Sequence, residues 1–406
     1  MKQYWLTLNH DSFLWVNRDK GCVYNTRNFR LFQFDCTNRI IRQSVDALLQ
    51  IDNLYRIVIN EEELASPEVK EWVDGLLKIE ASQLLEDNGV NQKPVSLLPK
   101  LKMSESMLVY GLNQEESGKI MMHLHELIFY INGSKFGNDN YYKQITYPTQ
   151  VPTELKAEDI IRFIGNAGEV APSLNITLVG CPWEYSGCEQ LLDYLSSLVG
   201  HISIYCTEKD YLTYNTDNVS LWNSDLISFH VLVSDYEQVD NDLFRQSPPK
   251  GDIHYGFVVT SEEDTEHATS LIERYGLKQY RFYPVYTGDN LSYFEDALYM
   301  TKEDLDALYL SKRKIFAHQM LNTNYFGVLT ITSDGLVYPG EIQNHIGTIQ
   351  DTPFSIVYKE ITQDKSWFHV RGQGACENCI YRYLCPSPSP YERVINKPDL
   401  CHINKE

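Results

Sequence analysis

Apolar residues recur along this chain in three successive rhythms. In the first hundred residues, Phe13–Asn17 and Gly21–Asn25 are short strand-like runs joined by Arg18-Asp-Lys-Gly21, whose Asp and Gly favour a hairpin turn. Phe29–Phe34 sets Phe29 and Leu31 between polar residues and predicts a third strand. Ile40, Ile41, Val45, Leu48 and Leu49 then follow helical spacing, and Tyr55–Ile59 predicts another strand. A second helix opens at Ser66-Pro67, because serine caps and proline suits the first helical position; its stripe is Val69, Val73, Leu76 and Leu77. Asp87–Pro94 is polar and rich in breakers, as a linker is.

From about residue 124 the rhythm changes to strands alternating with helices, the pattern of parallel βα units. The predicted strands are Leu127–Ile131, Asn175–Val179, His201–Tyr205, Leu226–Val233, His254–Val259 and Tyr280–Tyr286. Helical runs such as Glu189–Leu195 and Glu262–Tyr275 lie between them. Six such strands point to a partial parallel barrel. Neither Gly-x-Gly-x-x-Gly nor a Walker loop is present, which argues against dinucleotide and NTPase folds. After residue 321, Gly327–Pro339 reads as strand, Asp-Gly turn and returning strand. The expected units are 1–100, 101–315 and 316–406.

The length of 406 residues suits two to three domains with real cores. A net charge of −20 opposes a nucleic-acid partner, which would need a basic face. No stretch has the apolar length of a membrane span, and Met1–Asn9 has no apolar signal region, so no membrane partner and a cytoplasmic location are expected. The 28 tyrosines suit amphipathic recognition surfaces.

Four of the nine cysteines crowd the end of the chain: Cys376, Cys379, Cys385 and Cys401. A Cys-x-x-Cys lets two sulfurs reach one centre from a single turn, a third six residues on closes most of the shell, and Cys401 can supply the fourth thiolate. Disulfides are the alternative, but the expected cytoplasmic location opposes them. Four thiolates suit zinc and iron–sulfur centres alike.

This order of parts, with Ser333–Pro339 leading into Cys376-x2-Cys379-x5-Cys385, resembles radical SAM peptide maturases with a C-terminal SPASM extension. The likeness spans essentially the whole chain and is nearest to the pseudo-radical-SAM proteins of the GG-Bacteroidales peptide-modification systems. The resemblance implies an α/β fold. It would comprise a partial (β/α)6 barrel of radical SAM type, a preceding winged-helix-like α+β domain that recognises a precursor peptide, and a following SPASM-like extension.

Active members carry Cys-x3-Cys-x2-Cys after the first barrel strand. Here that spacing meets Ser134, Asn138 and Tyr141, whose neutral oxygens cannot replace thiolates on soft iron. Gly180–Glu184 stands where the family has Gly-Gly-Glu. The four terminal cysteines match the ligands of one auxiliary cluster, whereas Gly340 and Ser389 occupy ligand positions of another. The resemblance therefore implies one 4Fe-4S cluster, with zinc as the alternative, and no S-adenosylmethionine.

The expected function is that of a catalytically inactive accessory or scaffold in maturation of a ribosomally made peptide. The partners would be the precursor leader, an active maturase, or both. The alternatives are a redox or peptide-modifying enzyme using the single cluster, and a zinc-stabilised interaction protein. Peptide uptake by strand addition would use the third strand, with Arg30, Phe32 and Phe34 as exposed contacts; the competing reading places these aromatics in the core. His123 and His125 read as polar residues entering the first barrel strand, and Cys181 and Cys188 as ordinary barrel-edge residues.

Overall fold

The computed structural model describes residues 2–97, 120–168, 174–198, 201–213, 226–236, 239, 241–244 and 252–403. In the leading module, strands β2 (Ser12–Asn17), β3 (Lys20–Asn25) and β4 (Arg30–Asp35) form an antiparallel meander. Arg18 turns the β2–β3 hairpin at φ 49°, and Asn17 pairs with Lys20. The helix Arg39–Leu48 begins where the Asn38 side chain accepts the Ile40 and Ile41 N–H groups, and it buries Ile41, Val45 and Leu48. The second predicted helix is Pro67–Lys78, burying Val69, Trp72, Val73 and Leu76.

Two strands add to that expectation. β1 (Gln3–Leu8) lies between β5 (Arg56–Asn60) and β6 (Ser82–Glu86) in a separate antiparallel sheet. The module thus holds two three-stranded sheets and is richer in strand than a winged-helix-like domain was expected to be.

The central layer confirms the alternating rhythm. β7 (Glu126–Tyr130), β8 (Asn175–Val179), β9 (Ile202–Thr207), β10 (Ile227–Val233), β11 (Asp252–Val259) and β12 (Tyr280–Pro284) pair in parallel and in chain order. One face, with Ile204, Phe229, Val231 and Phe257, joins the core that includes Phe163, Leu191, Leu195 and Ala268 from the covering helices. The other face carries Tyr205, Leu232, Val258 and Tyr283. The predicted hairpin, β13 (Val328–Ile331) and β14 (Leu336–Tyr338), does not stand apart: β13 pairs in parallel with β7, and β15 (Gly347–Thr348) completes a nine-stranded mixed sheet. Among the described residues no helix is long and apolar enough to cross a membrane.

The meander joins the two ends of the chain. Phe32 and Phe34 point into the module's own core, whereas Phe13, Tyr24, Phe29 and Leu31 pack with Leu305, Leu310, Ile315 and Leu384. Tyr24 OH donates to Leu308 O (2.9 Å) and accepts from Leu310 N (2.9 Å). Lys312 pairs with Asp11 at 2.6 Å.

Candidate functional site

The loop after β7 carries Ser134, Asn138 and Tyr141, and each is absorbed into the fold. Ser134 is buried; its Oγ donates to Asp210 Oδ2 (2.6 Å) and accepts from Phe136 N (3.0 Å). Thr207 Oγ1 donates to the same carboxylate oxygen (2.8 Å). Asn138 shapes a turn by accepting from Asn140 N at 2.9 Å. Tyr141 meets the Tyr147 ring edge-on, with centroids 5.2 Å apart. These side chains serve separate structural partners and do not form a common ligand set.

The rest of the loop closes over the carboxyl ends of the parallel strands, the position where ligands bind in open α/β sheets. Tyr147 is buried with Leu232, Val258 and Val285, and its OH lies 3.1 Å from Ser234 Oγ. Gln144 donates to Tyr286 O (2.9 Å) and accepts from Tyr286 N (2.8 Å), so a loop leaving the first parallel strand is fastened just beyond the sixth. Asn132 and Cys181 exchange two bonds of 2.9 Å beneath it. Burial raises the Asp210 carboxyl above its usual range against the bonds from Ser134 and Thr207. Burial also pushes Glu208 up to about 7, and its Oε2 has no hydrogen-bond partner among the described residues.

Cys376, Cys379, Cys385 and Cys401 line one cavity of about 230 Å³, with Leu298, Met300 and Leu400 supplying apolar wall. Burial pushes the Cys385 thiol up to about 12 and raises Cys376, in both cases against the nearby Arg371 charge. Among the described residues no group of three or more His, Cys, Asp or Glu is placed to hold a metal ion. The donor set therefore fits a thiolate-bound centre in kind and in sharing one cavity, while these side-chain positions are not those of a ready single-ion site. A tetrahedral zinc with bonds of about 2.3 Å would need its sulfurs within about 4 Å of one another.

Two residues lining this cavity, and one outside its lining, were not legible as site residues. Arg371 Nη1 approaches Cys376 Sγ at 3.9 Å, and its Nη2 donates to Glu392 Oε1 at 2.7 Å. From the leading module, Cys22 donates to Ile380 O at 3.3 Å. These contacts join segments whose relation no local spacing reveals.

Gly340 and Ser389, the two positions expected to have lost cluster ligands, have different surroundings. Gly340 lies beside Tyr325 and Ser366. Ser389 caps a short helix, with its N–H donating to Glu392 Oε2 at 2.9 Å. An adjoining cavity of about 490 Å³ is lined by Tyr325, Glu341, Arg371, Ser389 and Glu392, among others.

In the leading module, β4 pairs with β3 alone among the described residues, leaving its other edge unpaired. Arg30 is exposed, as expected, and Nη1 donates to Lys78 O at 3.2 Å. Phe32 and Phe34 correct the expectation of exposed contacts: both are half-buried and pack against the module core. The Phe32 ring covers Gly75, where any Cβ would collide with it, and Phe34 lies 6.0 Å from the Trp72 ring. Strand alternation places residues 30, 32 and 34 on the helix-facing side together. His123 and His125 pack beside Phe326, with ring centroids 5.9 and 6.2 Å away.

No family model matches the sequence, and no curated protein matches it. Among solved structures, Streptococcus suis SuiB bound to the precursor peptide SuiA is similar, with TM-score 0.52 and 12% identity over 99% of this chain and 98% of that one. SuiB without a named ligand gives TM-score 0.49 and 14% identity over 97% and 98% of the two chains. SuiB bound to S-adenosylmethionine gives 0.46 and 12% over 99% and 100%. The likeness to the peptide-bound structure is one of fold, and the chain shares that mixed α/β architecture with its large, mostly parallel sheet.

Proposed function

We propose that this chain is a catalytically inactive radical SAM homologue that serves as an accessory or scaffold in maturation of a ribosomally made peptide. It binds the precursor leader, an active maturase, or both. The observation that carries the first half is the loop after β7: Ser134 is committed to Asp210, and Tyr147 and Gln144 fix the loop across the strand ends. A fold retained without its cluster thiolates is suited to binding, since function resides in the site and not in the architecture.

Peptide binding draws support from the fold shared with a SuiB structure that contains a precursor peptide and from the unpaired β4 edge. An edge strand offers backbone donors and acceptors to an added strand. Phe32 and Phe34 then form the wall between that strand and the helix Pro67–Lys78.

Cys376, Cys379, Cys385 and Cys401 hold one auxiliary centre. A four-iron cluster is preferred to zinc because the spacing Cys376-x2-Cys379-x5-Cys385 resembles that of an auxiliary cluster, while four thiolates alone would suit either centre. Such a centre, when bound, would cross-link the extension and could carry an electron. The test is titration of a short precursor and of an intact maturase against the full-length chain. Saturable binding of either supports the scaffold function; binding of neither, with metal-dependent turnover of a peptide, replaces it with the enzyme alternative.

A further inference from the structure

The two cavities of the extension share one buried cation. Arg371 and Glu392 line both cavities, and their side chains are only 10% and 9% exposed. The guanidinium makes three directed contacts: Nε to Pro386 O at 2.8 Å, Nη2 to Glu392 Oε1 at 2.7 Å, and Nη1 to Cys376 Sγ at 3.9 Å. The other oxygen of Glu392 accepts from Ser389 N at 2.9 Å and from Ser389 Oγ. A continuous chain thus runs from Ser389 through Glu392 and Arg371 to a cysteine of the thiol cavity.

We propose that Arg371 is a positioning residue for the four-cysteine centre, donating to the Cys376 sulfur, and that Glu392 sets how much positive charge this donor presents. The inference rests on the cysteines carrying a cluster. A cation or N–H donor at a cluster thiolate draws charge from sulfur and favours the more negative, reduced state. The Glu392 carboxylate opposes that effect by neutralising part of the guanidinium charge while holding its plane. The two residues should therefore move the reduction equilibrium in opposite directions.

The experiment uses full-length protein prepared anaerobically, with iron and sulfide assayed and a dithionite titration followed by electron paramagnetic resonance. In Arg371→Gln, reduction should become harder by about tenfold, 59 mV for one electron, and iron should be lost faster to a chelator. In Glu392→Gln, reduction should become easier. Both effects overturn a purely structural role, which gives no opposite signs; unchanged or same-direction potentials overturn the proposal. If Arg371→Gln does not fold, Glu392→Gln decides alone, with an easier reduction supporting the proposal and no shift or a harder one overturning it. Wild-type protein free of iron and sulfide removes the cluster and this inference together, whereas unshifted variants of an iron-loaded protein remove only the role of Arg371.

Discussion

Ser134 Oγ donates to Asp210 Oδ2 at 2.6 Å, tying the loop after the first parallel strand to the helix that follows the third. Both groups are buried, so the bond fixes the loop and keeps the Asp210 carboxylate satisfied. Removing one partner leaves the other short of a bond in a site where water cannot substitute freely. Ser134→Ala should therefore lower stability by about 1–3 kcal/mol, measured by urea denaturation at neutral pH. A change within experimental error would detach this bond from the closure of the loop.

Glu208 is expected to make the same region sensitive to pH. Its folded-state value of about 7 lies above the ordinary 4.5, because burial disfavours the charged form. Its contribution to folding is thus complete below about 4.5 and is lost as pH rises through about 7. Glu208→Gln should flatten stability across that window and raise the urea midpoint at pH 8 relative to wild type. An unchanged slope of stability against pH would contradict this placement of the carboxyl group.

Parts of this architecture could be read from periodicity alone. Asn175–Val179 and Glu262–Tyr275 match their predicted limits, because an apolar strand run and a serine-capped amphipathic helix are local signals. β1 and β6 escaped because each is short and meaningful only in a sheet where β1 pairs with both β5 and β6, over separations of roughly fifty to eighty residues. In the same way the crowding of Cys376, Cys379, Cys385 and Cys401 was legible as spacing, but Arg371, Glu392 and Cys22 acquire their roles from contacts between distant segments. Phe32 and Phe34 were placed on the right strand with the wrong exposure, since period two does not say which face a helix covers.

Tyr24 links the leading module to the segment just before the extension through both its oxygen contacts, 2.9 Å to Leu308 O and 2.9 Å from Leu310 N. Tyr24→Phe keeps the ring in its cluster and removes the two bonds. It should cost about 1–3 kcal/mol and increase amide exchange in β3 and around Leu310, read by mass spectrometry. Exchange altered everywhere equally would instead indicate global destabilisation.

The unpaired β4 edge gives a direct test of peptide uptake in the full-length chain. Gln33→Pro removes a backbone donor from the strand and should weaken precursor binding at least tenfold, provided circular dichroism shows the fold intact. Micromolar binding corresponds to about −8 kcal/mol, so a tenfold loss is readily resolved by calorimetry. Unchanged affinity would move the peptide away from this edge.

Metal content should follow the terminal cysteines and no others. Cys376→Ala or Cys379→Ala should abolish iron and sulfide in anaerobically purified protein, while Cys181→Ala should leave both unchanged, because Cys181 is buried beside Asn132 and away from the shared cavity. One zinc per chain without sulfide would replace the cluster with a structural ion.

The proposed lack of radical chemistry is tested most directly by incubating anaerobically prepared full-length protein with S-adenosylmethionine and dithionite and measuring 5′-deoxyadenosine by mass spectrometry. With Ser134, Asn138 and Tyr141 in place of the three thiolates, none should form above the protein-free control. Formation that scales with the concentration of this chain, and persists after removal of contaminating maturase, would contradict a catalytically inactive scaffold.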